Sequence, residues 1–173
     1  ARTERLQLLL HLARNAIDPV YLRAPLGGGK RRLLEELTDQ LGDEVARVTL
    51  DAQEPVRPVA SFLRQLDLPP DAADSWPSGL LDALGDRQVL VVVLHADAMD
   101  DMLREPLAAL RGSGVRMLLA GEGGGVAGWA VQFVDLPPFD RVETAAFLRP
   151  SARPAPSQVT DEAVKTAFAA TQG

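Results

Sequence analysis

Six consecutive apolar residues, Val89–Leu94 within RQVLVVVLHAD (87–97), constrain this chain more than any other feature. Every one is Val or Leu, and no polar residue alternates with them. A strand of that kind has no face to give to water. It belongs in the middle of a parallel sheet with helices over both sides. The rest of the chain supplies the neighbours. Short apolar strands are expected at PVYLRA (19–24), VARVTL (45–50), VRMLLAG (115–121) and VQFVDL (131–136). Between them lie segments with helical periodicity: 3–15, KRRLLEELTDQL (30–41), PVASFLRQL (58–66), SGLLDAL (78–84), DDMLREPLAALRG (100–112) and DRVETAAFLR (140–149). Gly42 is placed to stop the second of these and Ser78 to cap the fourth. LPPDAADSWPSG (68–79) is expected to be a loop. Strands alternating with helices predict right-handed crossovers and a three-layer α/β domain. That domain is expected over 1–149, followed by a Pro- and Ser-rich linker over 150–158 and a further short helix over 159–173.

Bulk properties remove several function classes. A net charge of −6 over 173 residues gives no electrostatic basis for binding nucleic acid or anionic lipid. The chain has no cysteine, hence no disulfide and no thiol catalysis. Its two histidines, His11 and His95, do not stand at metal-ligand spacing, and no serine elbow accompanies them. No apolar run is long enough to cross a bilayer, so no membrane contact is expected of this segment. The chain begins without Met and ends at ATQG, and reads as a piece of a longer protein.

Chemistry is concentrated in VYLRAPLGGGKRRLLEEL (20–37), where an apolar strand, a glycine turn, a lysine and a helix follow one another. This is the outline of a phosphate-binding loop, G-x-x-x-x-G-K-[ST]. Gly27, Gly28 and Gly29 let the backbone curl so that its N–H groups face an anion. Lys30 supplies the point charge. Ala24 replaces the first glycine, which is tolerable if its φ is negative. Arg31 replaces the Ser or Thr that holds Mg²⁺. A guanidinium has donors and no lone pair, so it cannot take that role. Lys30, Arg31 and Arg32 together put three cations at the positive end of a helix, an arrangement that calls for an anion. Weak, metal-independent binding of ATP, ADP or phosphate is therefore expected. In the competing reading GGGK is only a turn, with Arg31 on Glu35 or another acid and Arg32 in solvent.

A second element of such a site is an acidic pair ending the central strand. Here those positions hold His95 and Ala96. Imidazole is a poor Mg²⁺ ligand and alanine is none; the plain reading of His95 is a strand-end residue bonded to backbone. Asp97 is the candidate catalytic replacement. If the strand continued, it would share the side of His95 about 6–7 Å further on. Asp51, near the end of the second strand, is a candidate helper. Asp100 and Asp101 suit a helix N-terminus instead. No metal site is assigned with these residues.

In order and spacing, these segments resemble AAA+ P-loop ATPase domains of the GspA/ExeA type and the related N-terminal domain of DamX-like, SPOR-associated cell-division proteins. QVLVVVLHADAMDDMLREPLAAL is similar to the family's strand carrying two acids. VRMLLAGEGG is similar to its next strand, VQFVDLPPFDRVETAAFLR to its last strand and helix, and VTDEAVKTAFAATQG to the start of its helical lid. The resemblance implies a five-stranded parallel sheet in the order 5-1-4-3-2 and a cytoplasmic domain. In the DamX-like branch it also implies an inner-membrane anchor and a peptidoglycan-binding module elsewhere in the protein. Joined to the losses at Arg31 and His95–Ala96, it implies a degenerate module with impaired or absent ATP hydrolysis. Such a module would assemble with itself or with protein partners in the cell envelope. The alternative is an active or weakly active ATPase of the secretion-accessory type, its Mg²⁺ displaced onto Asp97 and Asp51. Trp76 and Trp129 are either partner contacts or lids on the core edge.

Overall fold

The computed structural model describes residues 2–54, 57–126, 128–129 and 131–138. The expected helix at 140–149, the linker at 150–158 and the lid start at 159–173 lie outside these residues. The described elements are α1 (Arg2–Asn15), β1 (Val20–Arg23), α2 (Lys30–Leu41), β2 (Val45–Asp51), α3 (Pro58–Gln65), α4 (Ser78–Leu84), β3 (Gln88–Leu94), α5 (Asp101–Ala109), β4 (Arg116–Gly121) and β5 (Gln132–Asp135).

All strand pairs are parallel, and the sheet runs β2-β3-β4-β1-β5. Counted from its other edge this is 5-1-4-3-2, the arrangement the resemblance implied. The Val89–Leu94 run behaves as its composition requires. Leu90 and Val92 face a core shared with α1 and α2, while Val89, Val91 and Val93 face a core shared with α3, α4 and α5. Each of these side chains contributes about 1.5–3 kcal/mol when fully buried. Tyr21 of β1 lies on the α3–α5 side and is wholly buried.

Several local expectations are corrected. Ser78 does not cap α4. Pro77 holds the cap position, and the Ser78 hydroxyl donates to the Ser75 carbonyl at 2.9 Å. The loop before it contains a short 3-10 turn at Pro70–Ala73. β3 ends at Leu94 and does not run on to Asp97: His95 is left-handed (φ 52°), and Ala96–Ala98 form a 3-10 turn. Alternation along an apolar run shows that a strand exists, but its end is set by where the backbone must turn. Gly42 (φ 65°) ends α2 as expected. Pro106 is accommodated within α5, and its carbonyl accepts from Trp76 Nε1 at 3.1 Å. Trp76 also meets Phe62 edge-on at 5.4 Å, and Trp129 lies under the Arg111 guanidinium at 5.1 Å. Both indoles are half-buried against the α3–α5 core, so each covers a core edge.

β2 is an edge strand, a position open to pairing with another chain. Gln65 of α3 blocks it. Its amide accepts from Thr49 N–H at 2.8 Å and donates to Thr49 C=O at 2.9 Å, copying the two bonds a neighbouring strand would make. Gln65→Ala should cost about 1 kcal/mol in chemical unfolding. It should also shift sedimentation toward larger species as concentration rises; an unchanged distribution would show that the edge is guarded otherwise.

Candidate functional site

Because all five strands are parallel, their C-terminal ends lie along one edge of the sheet, where ligands of open α/β folds bind. The loop from β1 to α2 opens there. Ala24 donates its N–H to Gly121 O at 3.1 Å and so still follows the ladder. Among the described residues only Asp67 and His95 are non-glycines with positive φ, so Ala24 meets the condition for replacing glycine. Gly27 (φ 75°) and Gly29 (φ 74°) are left-handed, the conformation that favours glycine. Gly28 N–H donates to Pro25 O at 3.0 Å, and a Cβ on Gly28 would stand 3.0 Å from that oxygen. No side chain caps α2, and its first turn holds no acid. The loop thus keeps the glycine curl and the uncapped helix start that suit an anion.

Lys30 turns back on this loop. Its ammonium donates to the carbonyls of Ala24 (2.5 Å) and Pro25 (2.9 Å) and stands 4.0 Å from Glu122. Burial lowers its pKa, and the charges of Glu122 and Asp97 restore part of the loss. Arg2 of α1 donates to Gly29 O at 2.9 Å, tying the first helix to the loop. Arg31 is exposed, and its charge is one of those that lower the pKa of Asp51. Arg32 is not left to solvent: it pairs with Glu36 at 3.2 Å, one helical turn on.

At the end of β3 the tertiary structure departs from the sequence reading. His95 Nδ1 lies 2.8 Å from Asp51 Oδ1, so its partner is a carboxylate on the neighbouring strand. Desolvation opposes ionisation of Asp51, but the Gln53 N–H, His95 and Arg31 outweigh it and hold its pKa below the usual range. Ala96 is buried. Asp97 does not share the side of His95, because the 3-10 turn carries it toward β1 and β4. Its carboxylate accepts from the Tyr21 hydroxyl, from Glu122 N–H (2.6 Å) and from Gly123 N–H (3.1 Å). A Cβ at Gly121 would lie 2.9 Å from this carboxylate, and one at Gly123 2.8 Å from Oδ1. Only glycine allows the close approach. Desolvation works against Asp97 ionisation, but these donors and Lys30 prevail and its pKa is lowered. Burial, then the Asp97 bond and charge, push the Tyr21 hydroxyl up.

The strand ends therefore bring acids together but use each one within the chain. Asp51 pairs with His95, Asp97 with Tyr21 and two amides, Glu122 with Lys30, and Asp135 with Arg23 at 2.6 Å. Among the described residues no three His, Asp or Glu side chains are disposed to hold a metal ion. The residues present do not fit Mg²⁺: Arg31 stands where its hydroxyl ligand would be, and the nearest carboxylates are engaged. Sequence reasoning missed Glu122 and Tyr21. The resemblance picked out the segment that holds Glu122 but gave neither residue a role, because the roles arise from contacts 76 and 92 residues apart.

No family model and no curated protein matches the chain. Among solved structures, a chain from the structure of Drosophila ORC bound to DNA superposes with a TM-score of 0.58 at 19% identity. The match covers 87% of this chain and 46% of that one, so this chain spans about half the ORC chain's length. ORC is an AAA+ protein. At that identity the likeness concerns the fold alone: a three-layer α/β domain around a five-stranded parallel sheet. No helix among the described residues is long and apolar enough to cross a membrane.

Asp97→Asn should destabilise the domain by about 1–2 kcal/mol, less than a fully enclosed network would lose, since Asp97 keeps one side open to water. Because the folded-state pKa of Asp97 is depressed, its contribution is complete above the unfolded value of about 3.9. It fades as pH falls through the folded value. Urea unfolding from pH 7 to pH 3 should show a shallower acid loss in the variant; parallel curves would separate Asp97 from the acid dependence.

Proposed function

We propose that this chain is a degenerate AAA+ domain that holds phosphate or nucleotide weakly, needs no metal to do so, and has impaired or absent ATP hydrolysis. One observation carries the reading. At the end of β3, where hydrolysis requires an acidic pair beside the lysine loop, stand an imidazole paired with Asp51 and a buried alanine. Phosphoryl transfer relies on positioning and on neutralising charge, largely through a metal. Gly27, Gly28, Gly29 and Lys30 form the phosphate cradle in this reading, with Arg31 and Arg32 as further cations near its mouth. The likeness to an AAA+ fold supports a nucleotide as the ligand. An ATPase with Mg²⁺ displaced onto Asp97 and Asp51 is not favoured, because both carboxylates already serve internal partners.

The resemblance to GspA/ExeA-type and DamX-like domains supports a role as an assembly or regulatory module of a bacterial cell-envelope or cell-division protein. In that setting the domain is cytoplasmic, acts through protein partners or self-association, and belongs to a chain anchored in the inner membrane.

Thermal unfolding with ATP, with and without Mg²⁺, tests the central claim. At one hundred times its Kd, ATP should add about 2.7 kcal/mol, a rise of roughly 5–11 °C for a chain of this size. The rise should be the same in EDTA and should vanish in Lys30→Ala. A Mg²⁺-dependent hydrolysis rate that is lost in Lys30→Ala would overturn the reading.

A further inference from the structure

The Lys30 ammonium has three N–H donors. Two are spent on Ala24 O and Pro25 O, at 2.5 and 2.9 Å. The remaining charge contact is Glu122 Oε1 at 4.0 Å. Glu122 is not placed there by its own side chain, which is half exposed. It is placed by its backbone: Asp97, itself fixed by the Tyr21 hydroxyl, accepts the Glu122 N–H at 2.6 Å and the Gly123 N–H at 3.1 Å. The segment after β4 is thereby held against the loop after β1, with a carboxylate beside the Lys30 ammonium.

We propose that Glu122 is the internal counter-anion of the Lys30 loop: its carboxylate takes the place beside the ammonium that a phosphate oxygen would take, and an incoming phosphate must displace it. Carboxylate and phosphate compete for one donor and one charge, and left together they repel. Displacement does not require refolding. The Glu122 side chain borders a cavity of about 480 Å³ lined also by Arg5, Ala24, Pro25 and Leu136, which gives it room to swing aside while its backbone stays on Asp97. Glu122 thus acts as a gate on the cradle and sets how strongly an anion must bind to enter it. This rests on the phosphate-binding reading above.

Calorimetric titration of inorganic pyrophosphate, without metal, into the wild type, Glu122→Gln, Lys30→Met and the double variant tests it. Glutamine keeps the shape and removes the charge. Glu122→Gln should bind about tenfold more tightly than the wild type, and the gain should disappear in the Lys30→Met background. Equal binding by wild type and Glu122→Gln overturns the gate and leaves the phosphate reading standing. So does an equal gain in both backgrounds, which would make Glu122 a diffuse surface charge. Binding by neither protein overturns the phosphate reading and the gate with it. A second readout needs no ligand: the rate at which an amine-acylating reagent modifies Lys30, relative to Lys165, the other lysine of the chain. Without the Glu122 charge the ammonium loses its proton more readily, so Lys30 should react faster in Glu122→Gln at fixed pH. An unchanged rate overturns the proposal.

Discussion

The removal of β3 from water on both faces is the constraint on which the rest depends. A strand with Leu90 and Val92 on one side and Val89, Val91 and Val93 on the other needs two helical layers. The chain provides them as α1 with α2, and α3 with α4 and α5. Two covered faces leave only the strand ends for function. With all strands parallel, the C-terminal ends gather the loops after β1, β3 and β4 at one edge.

That edge is rich in charge and poor in charge left over. Acids follow or end four strands, at Asp51, Asp97, Glu122 and Asp135, and each meets a partner from another strand or loop. These pairs link the strand ends laterally, β2 to β3, β3 to β1 and β4, and β5 to β1. The tie at Asp97 differs in kind from the others. A carboxylate receiving a phenol and two amides is oriented by three directed bonds, so it positions backbone and not merely charge. The same carboxylates that would neutralise a metal in a hydrolytic site here hold the edge together.

Much of this was legible along the chain. Burial on two faces is written into an unbroken Val/Leu run, and the glycine curl into GGGK, because both depend on residues adjacent in sequence. Gly42 as a helix stop and the negative φ allowed to Ala24 are likewise local matters of backbone sterics. Legibility failed where the chain turns. Asp97 shared the side of His95 only if the strand continued, and it ends at Leu94. A left-handed residue at position 95 reverses the relation between 95 and 97, and an imidazole gives no local sign of it. Ser78 failed as a cap for a similar reason: Pro77 had already taken the position.

The sequence by itself determined the layers, the parallel sheet and the presence of a lysine-bearing glycine loop, since periodicity and backbone propensity act over a few residues. The tertiary structure alone decided what the charged side chains do. Asp51 meets His95 across 44 residues, Tyr21 meets Asp97 across 76, and Lys30 meets Glu122 across 92. Partnership between charges is a matter of distance in space, and the loops that close those distances are set only when both helical layers have packed onto the sheet.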